Sequence, residues 1–484
     1  MKLGRREAIQ LGVSAALGLG LTGCESLEQR FTKPALPSTP WAPTGATSTE
    51  AVLLNRIGFG PNPSDLATVR SMGKPSYIEQ QLNPDGIAEA PVLTFRVRSL
   101  NDILSADAGI LFDVDDRVAV ATLRQATILR AVYSKKQLFE RVVSFWTDHF
   151  NIYEGKGEGP QLKIIDDRET IRKHAFGNFR ELLGSSARSA AMLGYLDNRI
   201  NEKRHPNENY AREIMELHTL GVNGGYTQHD VQEVARCLTG WTTQAHWHRS
   251  GFTFDSSMHD NGVKTVLGVT IPAGGGIKDG DRVLDILASH PSTAGHISRK
   301  LCRYFIGDAS DKLIDRAAAE FRRTDGDIKS TLRPILYSPE LVSGQPQFKR
   351  PFDYIVSALR AVNADTDGGP GIQTSLEQLG QPLFGWPRPD GFPEKAQPWI
   401  GNMLGRWNVA LALASGQISN TQVDLDALVH SAGSPNQKSV DVLTEIILGG
   451  NGKSAASILT AADAMRPTPE QAAILLMSPA FQYR

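Results

Sequence analysis

The chain has 484 residues, 40% hydrophobic and 21% charged, with 51 basic against 52 acidic side chains. That is enough apolar material for one large core or two. A formal net charge of -1, with no basic run carrying interleaved aromatics, removes the electrostatic case for nucleic acid.

The first residues read as a targeting segment rather than as part of a fold. Lys2, Arg5 and Arg6 make a basic start, and Ile9 to Leu21 is apolar but short for a membrane span. Leu21-Thr22-Gly23-Cys24 has the form of a bacterial lipobox, so residues 1–24 are expected to be a lipoprotein signal peptide with Cys24 lipidated. An ordinary signal peptide with a chance cysteine is the plainer alternative. Arg5-Arg6 resembles a twin-arginine signal, although Ala8-Ile9 stands where Phe-Leu is usual. Such a signal implies export in the folded state. Glu25 offers no inner-membrane retention signal, which favours the outer membrane. Residues 25–48 are rich in proline, including Pro34, Pro37, Pro40 and Pro43, and are expected to form an extended tether.

From residue 49 to 484 the pattern predicts a single large helical domain. Helices are expected over Ala51–Gly58, from Pro63, over Arg117–Tyr133 and Lys136–Phe150, and then over Asp167–Phe176 and Asn178–Leu183. Thr227-Gln228-His229-Asp230 predicts a capping box for a helix to about Leu238. Further helices are expected over Ser292–Phe305, Leu313–Phe321, Ser330–Leu336, Phe352–Val362 and Gly405–Ala414. Strands are few. Phe252–Asp255 and Val263–Leu267 read as one small hairpin joined through Asn261-Gly262. The fold class is therefore mainly α, with a small β-hairpin insertion.

The segment His205 to Leu220 concentrates ionisable groups on a predicted helix. Pro206 suits a first turn and Gly221 a stop. At about 100° per residue, Asn209, Arg212, Glu213 and Glu216 share one face, while Tyr210, Ala211, Ile214, Leu217 and His218 share the other. The stripe is either a solvated face or the lining of a cleft, with Glu208, Glu213 or Glu216 as acid/base groups or metal ligands. His149 shares a face with Leu138, Val142 and Phe145 and is expected to point inward, as a hydrogen-bonded core histidine or a site group. Asp197-Asn198 reads as a helix cap or a cleft-facing pair. His259-Asp260 reads as turn chemistry or as part of a site. The Pro/Gly-rich, aromatic segment Gly380–Pro393, with Trp386, Arg388 and Asp390, must pack on something. Together with Trp399 it is a candidate for stacking on a sugar ring, or for simple closure of the core. Cys237 and Cys302 sit among apolar neighbours and suit either a disulfide or two buried thiols.

These residues carry a resemblance. Leu53-Leu54-Asn55-Arg56-Ile57-Gly58-Phe59-Gly60, Phe145 to Phe150, Glu169 to Leu183, Tyr195 to Asn198, Pro206 to Gly221, Tyr226 to Trp241, His259-Asp260, His290 to Ala294 and Gly380 to Trp386 follow one another as in the bacterial family catalogued as domain of unknown function 1800. The chain departs from it at Val52, where relatives often carry His. The resemblance implies a mostly helical exported protein, often of the twin-arginine route, with no settled reaction. It also implies a possible partner, an exported sulfatase-like protein encoded nearby.

The expectation for function is an exported, lipid-anchored envelope enzyme, a hydrolase or lyase on an extracytoplasmic polymer or glycan. Its catalytic candidates are His149, Asp197, Asn198, Glu208, Asn209, Arg212, Glu213, Glu216, His259 and Asp260, with Trp386, Arg388, Asp390 and Trp399 binding substrate. A divalent metal is a possible cofactor, held from among His149, Asp197, Glu208, Glu213, His259 and Asp260. The alternative is a non-catalytic glycan-binding or envelope-assembly lipoprotein whose polar cluster is structural.

Overall fold

Ser48 opens the first helix, α1 (Thr49–Ile57): its side chain accepts from the Ala51 amide, and its own amide donates to the Gly449 carbonyl at 2.9 Å. The computed structural model describes residues 31–37, 48–244, 251–432, 438–449 and 467–484. Cys24 and most of the expected tether lie outside these. Of the expected tether, residues 31–37 and Ser48 are described. The Thr32 carbonyl accepts from Arg96 at 2.9 Å and the Ala35 carbonyl from Ser64 at 3.4 Å, so this part rests on the domain.

The expected helices form close to their predicted bounds. Among them are α2 (Asp116–Tyr133), α3 (Gln137–His149), α4 (Glu208–Glu216), α5 (Gln228–Cys237), α6 (Pro291–Phe305), α7 (Pro351–Ala361) and α8 (Met403–Ala414). Thr227 and Asp230 complete the reciprocal capping box at the start of α5. Asn207 caps α4, so Pro206 lies just outside the helix rather than in its first turn. Helices over Lys74–Leu82, Ile277–Ser289, Pro370–Gln378, Ser439–Leu448 and Pro469–Met477 were not expected. The stretch predicted as Asp167–Phe176 is π-helical over Asp166–Arg172. There the buried Asp166 meets Lys163 at 2.8 Å, and Arg172 meets Glu140 at 2.5 Å.

Among the described residues the β structure is three two-stranded antiparallel sheets. β1 (Trp241–Thr243) pairs with β2 (Phe252–Phe254), β3 (Lys264–Val266) with β4 (Val269–Ile271), and β5 (Asp365–Thr366) with β6 (Thr421–Gln422). The two runs expected to form one hairpin therefore pair with other partners. Leu267 and Gly268, both at positive φ (50° and 77°), make the tight turn that the Asn261-Gly262 pair was expected to make. Trp241 is fully buried, and its ring pairs with Phe252 across β1 and β2.

One hydrophobic core runs through the domain, with Trp146, Trp241, Tyr210, Phe145 and Phe150 among its largest fully buried side chains. Buried arginines bind helices together within it. Arg141 on α3 pairs with Asp353 on α7, and Arg360 on α7 pairs with Asp65. Cys237 and Cys302 are free and buried, and burial pushes both thiols up to about 12. No helix among the described residues is long and apolar enough to cross a membrane.

Candidate functional site

The polar stripe of α4 falls where the periodicity places it, with Tyr210, Ala211, Ile214 and Met215 inward and His218 fully buried beyond the helix end. Past Glu216 the turn widens, and the amides of His218 and Leu220 reach back to Glu213 and Met215. The carbonyls of Leu217 and His218 are left without amide partners from the helix. Two imidazoles take them up. His149 Nε2 meets the His218 carbonyl at 3.1 Å, and His296 Nε2 meets the Leu217 carbonyl at 3.2 Å.

A carbonyl only accepts, so in both rings Nε2 carries the proton and Nδ1 keeps its lone pair. In His149 that lone pair accepts from Lys300 Nζ at 3.0 Å. Gly221, at φ 81°, closes the arrangement: a Cβ there would stand 2.7 Å from His296 Nδ1. Three histidines thus gather around one amine. Their rings are 6.0 Å apart for His149 and His218, and 6.5 Å for His149 and His296.

Electrostatics keeps these groups neutral. Burial, then the Lys300 charge, holds His149 well below its ordinary value. The same causes bring His218 to about 3 and His296 to about 4. Burial also lowers Lys300, against the pull of Glu394 and Asp148. Lys300 is crowded by protein on most sides but half-buried at its surface, where it faces a cleft of about 410 Å³. Among the described residues no carboxylate lies within ion-pair distance of it. Three ion pairs surround the cleft: Asp148 with Arg350 at 2.5 Å, Arg388 with Asp390 at 3.1 Å, and Arg303 with Glu394 at 3.7 Å. Tyr304, one turn after Lys300 on α6, also lines the cleft, and its hydroxyl is buried without a partner.

The far wall is the Gly380–Trp399 loop. Asn151 donates to the carbonyls of Trp386 and Arg388 at 3.0 and 2.7 Å, and the Tyr195 hydroxyl donates to Pro387 at 2.8 Å. Within the loop, Trp386 donates to Asp390 at 3.0 Å and Arg388 stacks over the Trp386 ring at 5.2 Å. Trp399 is buried and donates to the Pro393 carbonyl at 3.0 Å, so it builds the loop's own core.

Of the residues singled out from sequence, the fold brings His149, Arg388 and Asp390 to this cleft. Glu213 borders it electrostatically: burial raises its carboxyl, and Glu216 and then Asp390 add to the rise. The remainder are dispersed. Glu208 meets Arg212 at 3.2 Å and Gln228 at 2.6 Å on the surface. Glu216 accepts from the Tyr226 hydroxyl at 3.3 Å. Asp197, at φ 60°, pairs with Lys156 at 2.8 Å. Asn198 donates to Trp241 and Asn209 to Leu196, both backbone carbonyls, at 3.0 and 3.1 Å. His259 is buried between the Thr239 carbonyl at 2.8 Å and Asp279 at 3.2 Å, where Lys264 also meets Asp279 at 2.6 Å. Asp260 is held by Arg236 at 2.8 Å. Among the described residues, no three His, Cys, Asp or Glu side chains are placed to hold one metal ion. His296 and Lys300 were missed in the sequence, although His296, Lys300, Arg303 and Tyr304 recur at helical spacing on α6.

The family model described as "Protein of unknown function (DUF1800)" matches residues 52–483, nearly the whole chain. The chain belongs to this family. No curated protein and no solved structure matches it.

Proposed function

We propose that this protein is an exported, lipid-anchored envelope enzyme acting on an extracytoplasmic polymer or glycan, and that Lys300 is its proton-transfer group. The observation that carries the reading is the Lys300 amine, 3.0 Å from the His149 lone pair, among neutral imidazoles at the floor of an open cleft. Such an amine loses its proton more readily than a solvated lysine, which suits it to act as a general base. This chemistry favours a lyase over a hydrolase built on paired carboxylates. A proton leaves the carbon next to a carboxyl or carbonyl group for Lys300 Nζ. The neighbouring C–O bond then breaks, and the departing oxygen takes a proton from water in the open cleft. Lys395, exposed at the rim and without an ion pair among the described residues, suits an anionic substrate. An exported sulfatase-like protein remains the proposed partner, and the lipid at Cys24 the proposed anchor.

The test is a turnover screen on uronate-bearing and neutral envelope glycans, read by absorbance of unsaturated product, on the wild type and Lys300→Met. Titration of Lys300 by NMR after ¹³C-methylation of lysines accompanies it. Product from the wild type alone, with Lys300 titrating below ordinary lysines, is expected. Equal turnover by both proteins, or an ordinary Lys300 titration, overturns the assignment. A second reading, a non-catalytic glycan-binding or assembly lipoprotein, is supported by the self-contained Glu208–Arg212–Gln228 and His259–Asp279–Lys264 networks. Retention of glycan without turnover by either protein would select it.

A further inference from the structure

Between Lys395 and Asp424 the chain carries a single charged side chain, Arg406. That one is only 1% exposed, its guanidinium turned inward to Gln482 and the Lys349 carbonyl. The outer surface of this stretch therefore bears no charge of either sign, in a protein that is 21% charged. Large apolar side chains occupy it instead. Leu404, Trp407 and Leu411 lie within one narrow arc of α8, and Ile400 directly precedes the helix; the four are between 43% and 67% exposed. Isolated exposed hydrophobic residues need no explanation, but a contiguous uncharged stripe with a tryptophan does.

The route of the chain indicates what covers it. Lys33 and Leu36 border one groove together with Ala414, at the end of α8, and with Val423 and Leu425. Phe31, itself 52% exposed, is the first residue described. The seven-residue step from Phe31 back to Cys24 can reach at most about 25 Å. A lipid on Cys24 would thus enter its bilayer within that distance of this end of the protein.

We propose that the face of α8 carrying Leu404, Trp407 and Leu411, with Ile400 before it, docks on the lipid bilayer that holds the Cys24 anchor. The proposal rests on the lipid-anchored reading given above. An uncharged apolar face with an exposed indole suits the boundary between headgroups and acyl chains, where tryptophan concentrates. The acyl chains supply most of the affinity and the face fixes the orientation. Gln397 and Pro398 line the cleft and lie just before Ile400, so docking holds the rim of the cleft at the membrane surface. A substrate that reaches Lys300 would then be drawn from polymer lying close to that surface.

The experiment uses the full lipidated chain on phosphatidylethanolamine and phosphatidylglycerol vesicles. Nitroxides are placed through Leu404→Cys, Leu411→Cys and, as an exposed control elsewhere, Val222→Cys; Cys237 and Cys302 are buried and stay unlabelled. Oxygen collisions are expected to rise and collisions with a water-soluble nickel chelate to fall severalfold at 404 and 411, relative to 222. If the protein floats with vesicles but 404 and 411 remain as open to nickel as 222, the docking face is overturned while the anchor stands. If the chain does not float at all, the anchor fails and this proposal with it. Spin–spin broadening at 404 in detergent would assign the face to a second copy of the chain and also overturn it.

Discussion

Acidification from about pH 7.5 to about pH 5.5 is expected to remove about 4 kcal/mol of stability through three residues, His149, His218 and His296. Each is held neutral in the folded protein, with His218 at about 3 and His296 at about 4, against an ordinary value of 6.5. The unfolded chain therefore binds more protons than the folded one below 6.5, and stability must fall as pH falls through that value. One pH unit below it, each such histidine costs about 1.4 kcal/mol. The loss is large against the roughly 5–15 kcal/mol that holds an ordinary domain folded. Histidine is the side chain whose ordinary value lies inside this window, so the histidines set its slope.

The decisive variant is His218→Leu. Both ring nitrogens of His218 are buried without partners, so an apolar side chain of similar reach removes an unsatisfied group and leaves neutral-pH stability unchanged or higher. Urea unfolding at about pH 7.5, 6.5 and 5.5 is the assay. The variant is expected to lose about 1.4 kcal/mol less than the wild type across the series. An identical slope in both proteins would refute the reasoning, because His218 would then be protonated or solvated in the native state.

Other substitutions separate buried from exposed electrostatics. Asp353→Asn leaves Arg141 and Arg350 buried without their shared anion and should cost about 3–5 kcal/mol in urea. Arg212→Ala breaks a pair in which the arginine side chain is 41% exposed, so the same measurement should move by less than about 1 kcal/mol. Gly391 lies at φ 75° and a Cβ there would collide with the Asp148 carbonyl, so Gly391→Ala should lift the loop off α3 and hasten tryptic cleavage after Lys395. Cys237 and Cys302 should ignore a thiol reagent in the native protein and react once guanidinium unfolds it; fast native labelling of either would contradict their burial.

Local patterning carried much of the fold. Three-and-four spacing of apolar residues marks α2, α3, α6 and α7, and Thr227 with Asp230 marks the start of α5, because such signals act over one or two turns. The inward turn of Tyr210, Ile214 and His218 was legible for the same reason. Strand pairing was not: Phe252–Phe254 and Lys264–Val266 each had a short apolar run, and the choice of Trp241–Thr243 and Val269–Ile271 as partners came from burying Trp241 and from the turn at Leu267-Gly268. The candidate site shows the limit most clearly. Glu208, Arg212, His259 and Asp260 look chemical as a list, but exposure and local partners absorb them. His149 and Lys300 are 151 residues apart, and they meet where the packed helices α3 and α6 bring His149 and His296 to the two carbonyls left open at the end of α4. Sequence by itself determined many of the helices, the capping box of α5 and the family. Tertiary structure decided which polar groups lost their water, and that loss sets the chemistry of the cleft.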